Sequence, residues 1–245
     1  MKAFSAIVKR EFLAYFFSPL AWVILTAFLL VNGVLFNGIL QALNSPETPR
    51  TAFLQLFFNN VFYWIFMMLV SAVVSMRLLA EERKSGSIEA LLTAPVSEGT
   101  VVAAKFAAGW AFFLFLWLPT IVYSLMLSSH GRLDPGPVAA GYLGIALIGL
   151  LFVSAGTFAS SLTKNQIVAA VLAFVVIIGI FFVGVFKEFA TDPKLRETLA
   201  YLNLLEHMED FARGIVDTRR VVYTVSAAVF FLFLSTLALR ANKAR

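Results

Sequence analysis

Apolar residues in this chain run in long unbroken stretches, and polar residues are gathered into the short intervals between them. Six windows hold no Asp, Glu, Lys or Arg: between Glu11 and Glu47, Arg50 and Arg77, Lys105 and Arg132, Asp134 and Lys164, Lys164 and Lys187, and Arg220 and Arg240. A helix needs roughly 17–25 apolar residues to cross the hydrocarbon core, and each window supplies them. The runs are continuous and do not alternate in ~10-residue units, which excludes the strands of a closed barrel. The pattern predicts an all-α polytopic membrane protein, one domain over residues 1–245, with spans at 20–41, 56–76, 101–127, 138–160, 166–186 and 221–240. The first apolar run far exceeds the ~7–15 residues of a signal-peptide core, so it is expected to be a retained span.

The intervals carry structure of their own. Ahead of the first span, Phe4, Ile7, Val8, Phe12, Tyr15 and Phe16 recur at helical spacing with Lys2, Lys9 and Arg10 among them. This is the pattern of an amphipathic helix lying in the membrane interface over residues 1–18, although periodicity alone fits a simple early start of the first span almost as well. Pro19 separates it from the span. Between spans five and six, Asp192-Pro193 is a helix start. Leu195, Leu199 and Leu202 then share a face, and Asn203 interrupts. A second segment sets Leu205, Met208 and Phe211 at three-residue spacing and ends at Gly214, with Asp217 placed to cap the last span. Two short helices are expected there, on the outer face.

The interval after span two is the densest in charge. In "MRLLAEERKSGSIEALLTAPVS", residues 76–97, the first fourteen positions hold three acidic and three basic residues. Glu81, Glu82, Arg83 and Lys84 extend the second span as a charged helix that Gly86 ends. Ser87 can cap a second short helix with Ile88, Leu91 and Leu92 on one face, and Pro95 stops it. Charged loops between spans are commonly just solvated. A solvated loop has no need of three aliphatic residues on one face, however, and an exposed apolar patch favours a docking surface.

Composition agrees with the pattern and narrows the function. The chain is 60% apolar and 13% charged, with a mean hydropathy of +0.88, outside the soluble range. An even number of spans puts both termini on one side. With that side cytoplasmic, eleven Lys and Arg lie inside and eight outside, six of these between residues 187 and 220. The net charge of +5 therefore reports orientation, and no nucleic-acid partner is expected. Cysteine is absent, which removes disulfides and thiolate metal sites.

Neither a G-x-x-x-x-G-K-[ST] loop nor H-E-x-x-H occurs, and the only histidines are His130 and His207. No span carries an ionisable group at its centre, which disfavours an ion-coupled carrier. For want of any catalytic constellation, an enzyme ranks lower still. The milder polar residues (Asn32, Asn37, Ser71, Ser75, Thr120, Ser124, Ser154, Thr157, Ser160 and Ser161) read mainly as helix-packing groups, with a substrate-path lining as the lesser alternative. Small residues at four-residue spacing, Ala103, Ala107 and Ala111 or Gly156 and Ser160, support packing. His207 with Glu206, Glu209 and Asp210 reads as a solvated helix face in preference to a metal site.

Residues 77–97 resemble the E-x-R-x-x-G-[ST]-x-E-x-L-L-x-x-P-[VL]-[ST] segment of ABC-2 type transporter permeases, through Glu81, Arg83, Gly86, Ser87, Glu89, Leu91, Leu92, Pro95, Val96 and Ser97. "VKREFLAYFFSPLAW" is similar to the family's interfacial connecting helix, with Arg10, Glu11 and Pro19 in matching places. His207, Phe211, Arg213, Gly214 and Asp217 resemble the H-x-x-x-F-x-R-G-x-x-D motif of the gliding-motility-associated branch.

The resemblance implies a non-catalytic permease subunit of an exporter in the bacterial inner membrane, pairing with a second copy or a sister permease. ATP and Mg would be bound by a separate ATPase subunit and no cofactor by this chain. Glu81, Arg83, Gly86, Ile88, Glu89, Leu91, Leu92 and Pro95 would form the ATPase-coupling segment. The His207–Asp217 motif would sit in the outer gate region. The alternative is a permease-like subunit that passes ATPase work to an envelope or gliding machine without moving a substrate.

Overall fold

The computed structural model describes residues 2–44, 53–58, 60–86, 96–130 and 134–243, and every regular element among them is helical. The N-terminal helix α1 (Lys2–Phe16) is followed by α2 (Pro19–Leu43), the short α3 (Phe53–Phe58) and α4 (Val61–Ser85). α5 (Glu98–Trp117) passes through a 3-10 turn at Leu118–Thr120 into α6 (Ile121–His130). α7 (Pro135–Leu162) and α8 (Gln166–Val185) follow, then a 3-10 turn at Phe186–Phe189, α9 (Pro193–Tyr201), α10 (Leu204–Ala212) and α11 (Thr218–Lys243). Six stretches are long and apolar enough to cross a membrane: Pro19–Leu43, Val61–Ser85, Glu98–Ser128, Pro135–Leu162, Gln166–Phe189 and Thr218–Ala241.

Local chemistry sets most of the boundaries. Asn60, Ser97, Asp134, Asn165, Asp192 and Asn203 each accept a backbone N–H of the first helical turn that follows, which satisfies one of the donors a helix start leaves open. Asp217 does the same for Arg219 at the start of α11, at 2.8 Å. Gly86 ends α4 at φ 74°, in the left-handed region that favours glycine. Gly214 ends α10 at φ 84°, where its N–H bonds to the Phe211 carbonyl and that of Ile215 to the Asp210 carbonyl, the paired bonds of a Schellman motif.

Two predicted spans differ in outline. The second does not begin at residue 56. α3 is a separate helix, and the Asn60 cap restarts the chain at Val61. The third is not one α-helix, because Pro119 lacks an N–H and the backbone tightens into a 3-10 turn around it.

α7 is the hub, packed against α4, α5, α8, α10 and α11. α4, α5 and α7 are mostly buried within the chain, while α2, α8 and α11 are mostly exposed at its flanks. Exposed Val34, Phe62, Val171 and Val229 suit a surface that meets lipid, where apolar side chains carry no penalty. Gly156 lets α7 approach α4 closely, since a Cβ there would lie 1.9 Å from the Ser75 Oγ. Hydroxyls inside the bundle bond back to their own helices: Ser71 donates to Met67, Ser75 to Ser71, Ser154 to Leu151 and Thr157 to Val153. Without water, each buried donor needs such an internal acceptor.

Candidate functional site

The end of the bundle that holds α1, the last turn of α4 and the first turns of α5 contains an ionic cluster built around one buried lysine. Lys105, on α5, has a side chain only 2% exposed. Its Nζ lies 2.9 Å from Glu82 Oε1 on α4 and 3.1 Å from Glu11 Oε2 on α1. Arg10 closes the ring: its guanidinium donates to Glu11 Oε1 at 2.7 Å and to Glu82 Oε1 at 3.2 Å. Two cations and two carboxylates balance, and they join three helices. Taking charges out of water is costly unless each is paired and hydrogen-bonded. The mutual pairing gives every charge a partner, although Glu82 uses only its Oε1 and its buried Oε2 has no partner among the described residues. Burial pushes the Glu11 carboxyl up, but Lys105 and Arg10 together outweigh it and hold it below the usual carboxylate value. The Arg10 guanidinium is held above its ordinary value, chiefly by its hydrogen bond to Glu11.

Aromatic contacts seat α1 beside this cluster. Tyr15 is buried, its hydroxyl donates to the Val74 carbonyl of α4 at 2.8 Å, and its ring stacks on Phe112 of α5 at 4.4 Å. The Arg77 guanidinium sits 5.3 Å from the centre of the same ring. Phe16 meets Phe112 and Phe115 edge-on. The aromatic face expected to dip into the acyl boundary is therefore partly spent on α4 and α5. α1 is docked, because Tyr15 and Glu11 find buried partners that lipid could not offer.

The residues expected to couple to a partner fall into two groups. Ile88, Glu89, Leu91, Leu92 and Pro95, with Ser87, lie outside the described residues. Glu81 is half exposed and pairs with Arg77 one turn back on its own helix, at 3.2 Å. Arg83 reaches across to α7 and donates to the Ser161 carbonyl. Gly86 supplies the left-handed stop. In the sequence Glu82 stands out only as part of the charged end of the second span and Lys105 only as the cation that follows the segment resembling the permease family, and neither is assigned a partner. The signal was there, in a lone cation near the start of the third predicted span, but its partners sit on other helices.

At the opposite end, α9 and α10 form two short helices, and the buried face of the second differs from the expected one. Leu204, His207, Met208 and Phe211 turn inward, while Leu205 is only partly buried. His207 is thus not part of a solvated face. It is 1% exposed, its Nε2 bonds with the Tyr201 carbonyl at 2.9 Å, and its ring meets Tyr223 of α11 edge-on. Phe211 is buried at Gly144 of α7. The acidic neighbours take cations: Glu206 pairs with Lys187, Glu209 with Arg213 and Asp210 with Arg220. Of the predicted motif, His207 and Phe211 anchor α10, Gly214 and Asp217 shape the chain's exit into α11, and Arg213 stays half exposed.

Burial lowers the His207 pKa below the usual imidazole value; the Tyr201 hydrogen bond opposes this and the nearby Arg220 charge adds to it. The packed state therefore favours the neutral ring. The resulting stabilisation is fully present above ~6.5, the free imidazole value, and is lost as pH falls through the lower packed-state value. We expect amide exchange in α9 and α10, corrected for intrinsic rates, to accelerate between pH 7.5 and 5.5 relative to α7. His207→Gln should flatten that dependence, and an unchanged profile in the variant would remove His207 as its source.

Compared with known families, residues 40–205, more than half of the chain, match the model described as "ABC-2 family transporter protein". That stretch includes Glu82 and Lys105 but not α1 with Arg10 and Glu11. No curated protein matches the chain.

Proposed function

Because this chain belongs to the ABC-2 family of transporter proteins, we propose that it is the permease subunit of an ATP-driven exporter, moved by a separate ATPase subunit that binds the ATP and Mg. The reading places both termini, α1 and the end of α4 in the cytoplasm of a bacterial cell, at the inner membrane. A second permease copy or a sister subunit completes the path. Residues 78–96 are the segment that the ATPase grips, with Ile88, Leu91 and Leu92 as the apolar anchor and Glu81, Arg83 and Glu89 as charged contacts.

The observation that carries the reading is the ionic cluster. Glu82 lies four residues before Gly86, where the chain leaves α4 for the gripped segment, and it is tied to Lys105 and Arg10. A push on that segment is thereby shared by α4, α5 and α1, because buried, mutually paired charges resist separation far more than exposed ones. The hub helix α7 receives the same motion through its contact with α4. The His207–Asp217 region then lies on the outer side, where it fixes the short helices through which cargo leaves.

Replacing Leu91 and Leu92 together with Asp tests the assignment. We expect the co-purifying ATPase to be lost while the variant still inserts in the membrane. Retention of the ATPase at the level of the unaltered chain would show that the segment is not the anchor.

A further inference from the structure

The Ser160 hydroxyl, fully buried near the end of α7, differs from those of Ser154 and Thr157 in bonding to a neighbouring helix. Its Oγ donates to the Met76 carbonyl of α4 at 2.9 Å and accepts from the Leu79 and Ala80 N–H groups at 3.1 and 3.0 Å. Met76 C=O and Ala80 N–H are the acceptor and donor of a single i→i−4 rung, so a hydroxyl from α7 bridges both ends of one rung of α4. A side chain inserted into the ladder is an established cause of helix bending. It also lets a rung open without leaving a bare polar group in hydrocarbon.

The anchoring of α4 changes at this point. Before it, α4 is held by neutral groups: the Tyr15 hydroxyl of α1 bonds to its Val74 carbonyl, and its own Ser71 and Ser75 hydroxyls bond only to carbonyls of α4. After it, Glu82 is tied to Lys105 and Arg10, and Arg83 to the Ser161 carbonyl of α7.

We infer that Ser160 is a positioning residue that sets a hinge in α4 at residues 76–80, about which the charged end of the helix turns against its intramembrane part. The use made of the hinge rests on the permease reading above; its existence does not.

The chain has no cysteine, so Lys84→Cys on the end of α4 and Lys164→Cys in the turn after α7, both exposed positions, accept spin labels without background. The full chain in lipid nanodiscs then gives the distance between them. A bend of more than ~20° acting over the ~9 Å from the hinge to residue 84 moves the label by about 3 Å. Ser160→Ala should displace the distance peak by that amount, and Ser154→Ala, which removes a hydroxyl bonded within α7, should not. Ser160→Thr and Ser160→Val add nearly the same bulk but only Thr keeps the hydroxyl: Thr should match the unaltered chain and Val should match Ala. An undisplaced peak in Ser160→Ala, equal displacement in Ser154→Ala, or identical behaviour of Thr and Val would overturn the hinge. No ATPase is present in this measurement, so such a result leaves the permease reading standing. Retention of the ATPase by the Leu91 and Leu92 variant would do the reverse.

Discussion

Lys105→Met should destabilise the α1–α4–α5 junction by about 3–5 kcal/mol, the cost of removing one partner from a buried ionic group. The side chain is nearly the right length and fully apolar, so packing is kept while Glu11 and Glu82 are left with Arg10, a largely exposed cation. The expected readouts are a lower melting temperature in detergent and faster proteolytic release of α1. Adding Glu11→Gln and Glu82→Gln to Lys105→Met should restore much of the loss, because a neutral buried set no longer needs a counter-charge. If the single variant melts like the unaltered chain, the cluster does not hold the junction. Acid should act through the same group. The packed Glu11 value is depressed, so its stabilisation is fully present above ~4.3, the free carboxylate value, and is lost as pH falls through the lower packed value. The junction should therefore hold above the free carboxylate range and loosen only as pH falls below it.

Gly156→Ala should cost about 1–3 kcal/mol, the range for forcing extra bulk into a close-packed contact. The added Cβ would meet Ser75 Oγ at 1.9 Å and Ser75 Cβ at 2.6 Å, while the next neighbour, Ala173 Cβ, is at an ordinary 3.6 Å. One side chain on α4 is thus responsible for the clash, which makes the effect separable. Ser75→Gly removes both clashing atoms, and the Ser75 hydroxyl serves only carbonyls of its own helix. The double variant should regain most of the stability lost by Gly156→Ala alone. A Gly156→Ala chain that melts normally would mean that α4 and α7 separate at little cost. The same contact lies one turn from Ser160, so loosening it should also broaden the movement of the α4 end.

These outcomes are linked because α4 takes part at both places. α4 is held to α7 by the Gly156–Ser75 approach and the Ser160 bonds, and to α5 and α1 by Glu82.

The sequence by itself determined the class of molecule and the ends of its elements. Continuous apolar runs dictate spans because each backbone polar group in lipid must be paired within its own helix. Caps are equally local: Asp192, Asn203, Asp217, Gly86 and Gly214 act on N–H and C=O groups a few residues away. The break before Val61 was readable in principle from Asn60, but the surrounding apolar run masked it.

What only the tertiary structure decided are the partners. Lys105 appears in the sequence as one cation near the start of a span, and its meaning comes from Glu11 and Glu82, on two other helices. His207 looks solvated among its acidic neighbours, yet the rotation of α10 on α7 turns it inward and leaves Glu206, Glu209 and Asp210 to cations. Ser160 is one of many span hydroxyls until α4 is laid against it. Whether a charge or hydroxyl is buried, and by what it is satisfied, depends on atoms far away along the chain, and a pattern read along one strand of sequence carries no record of them.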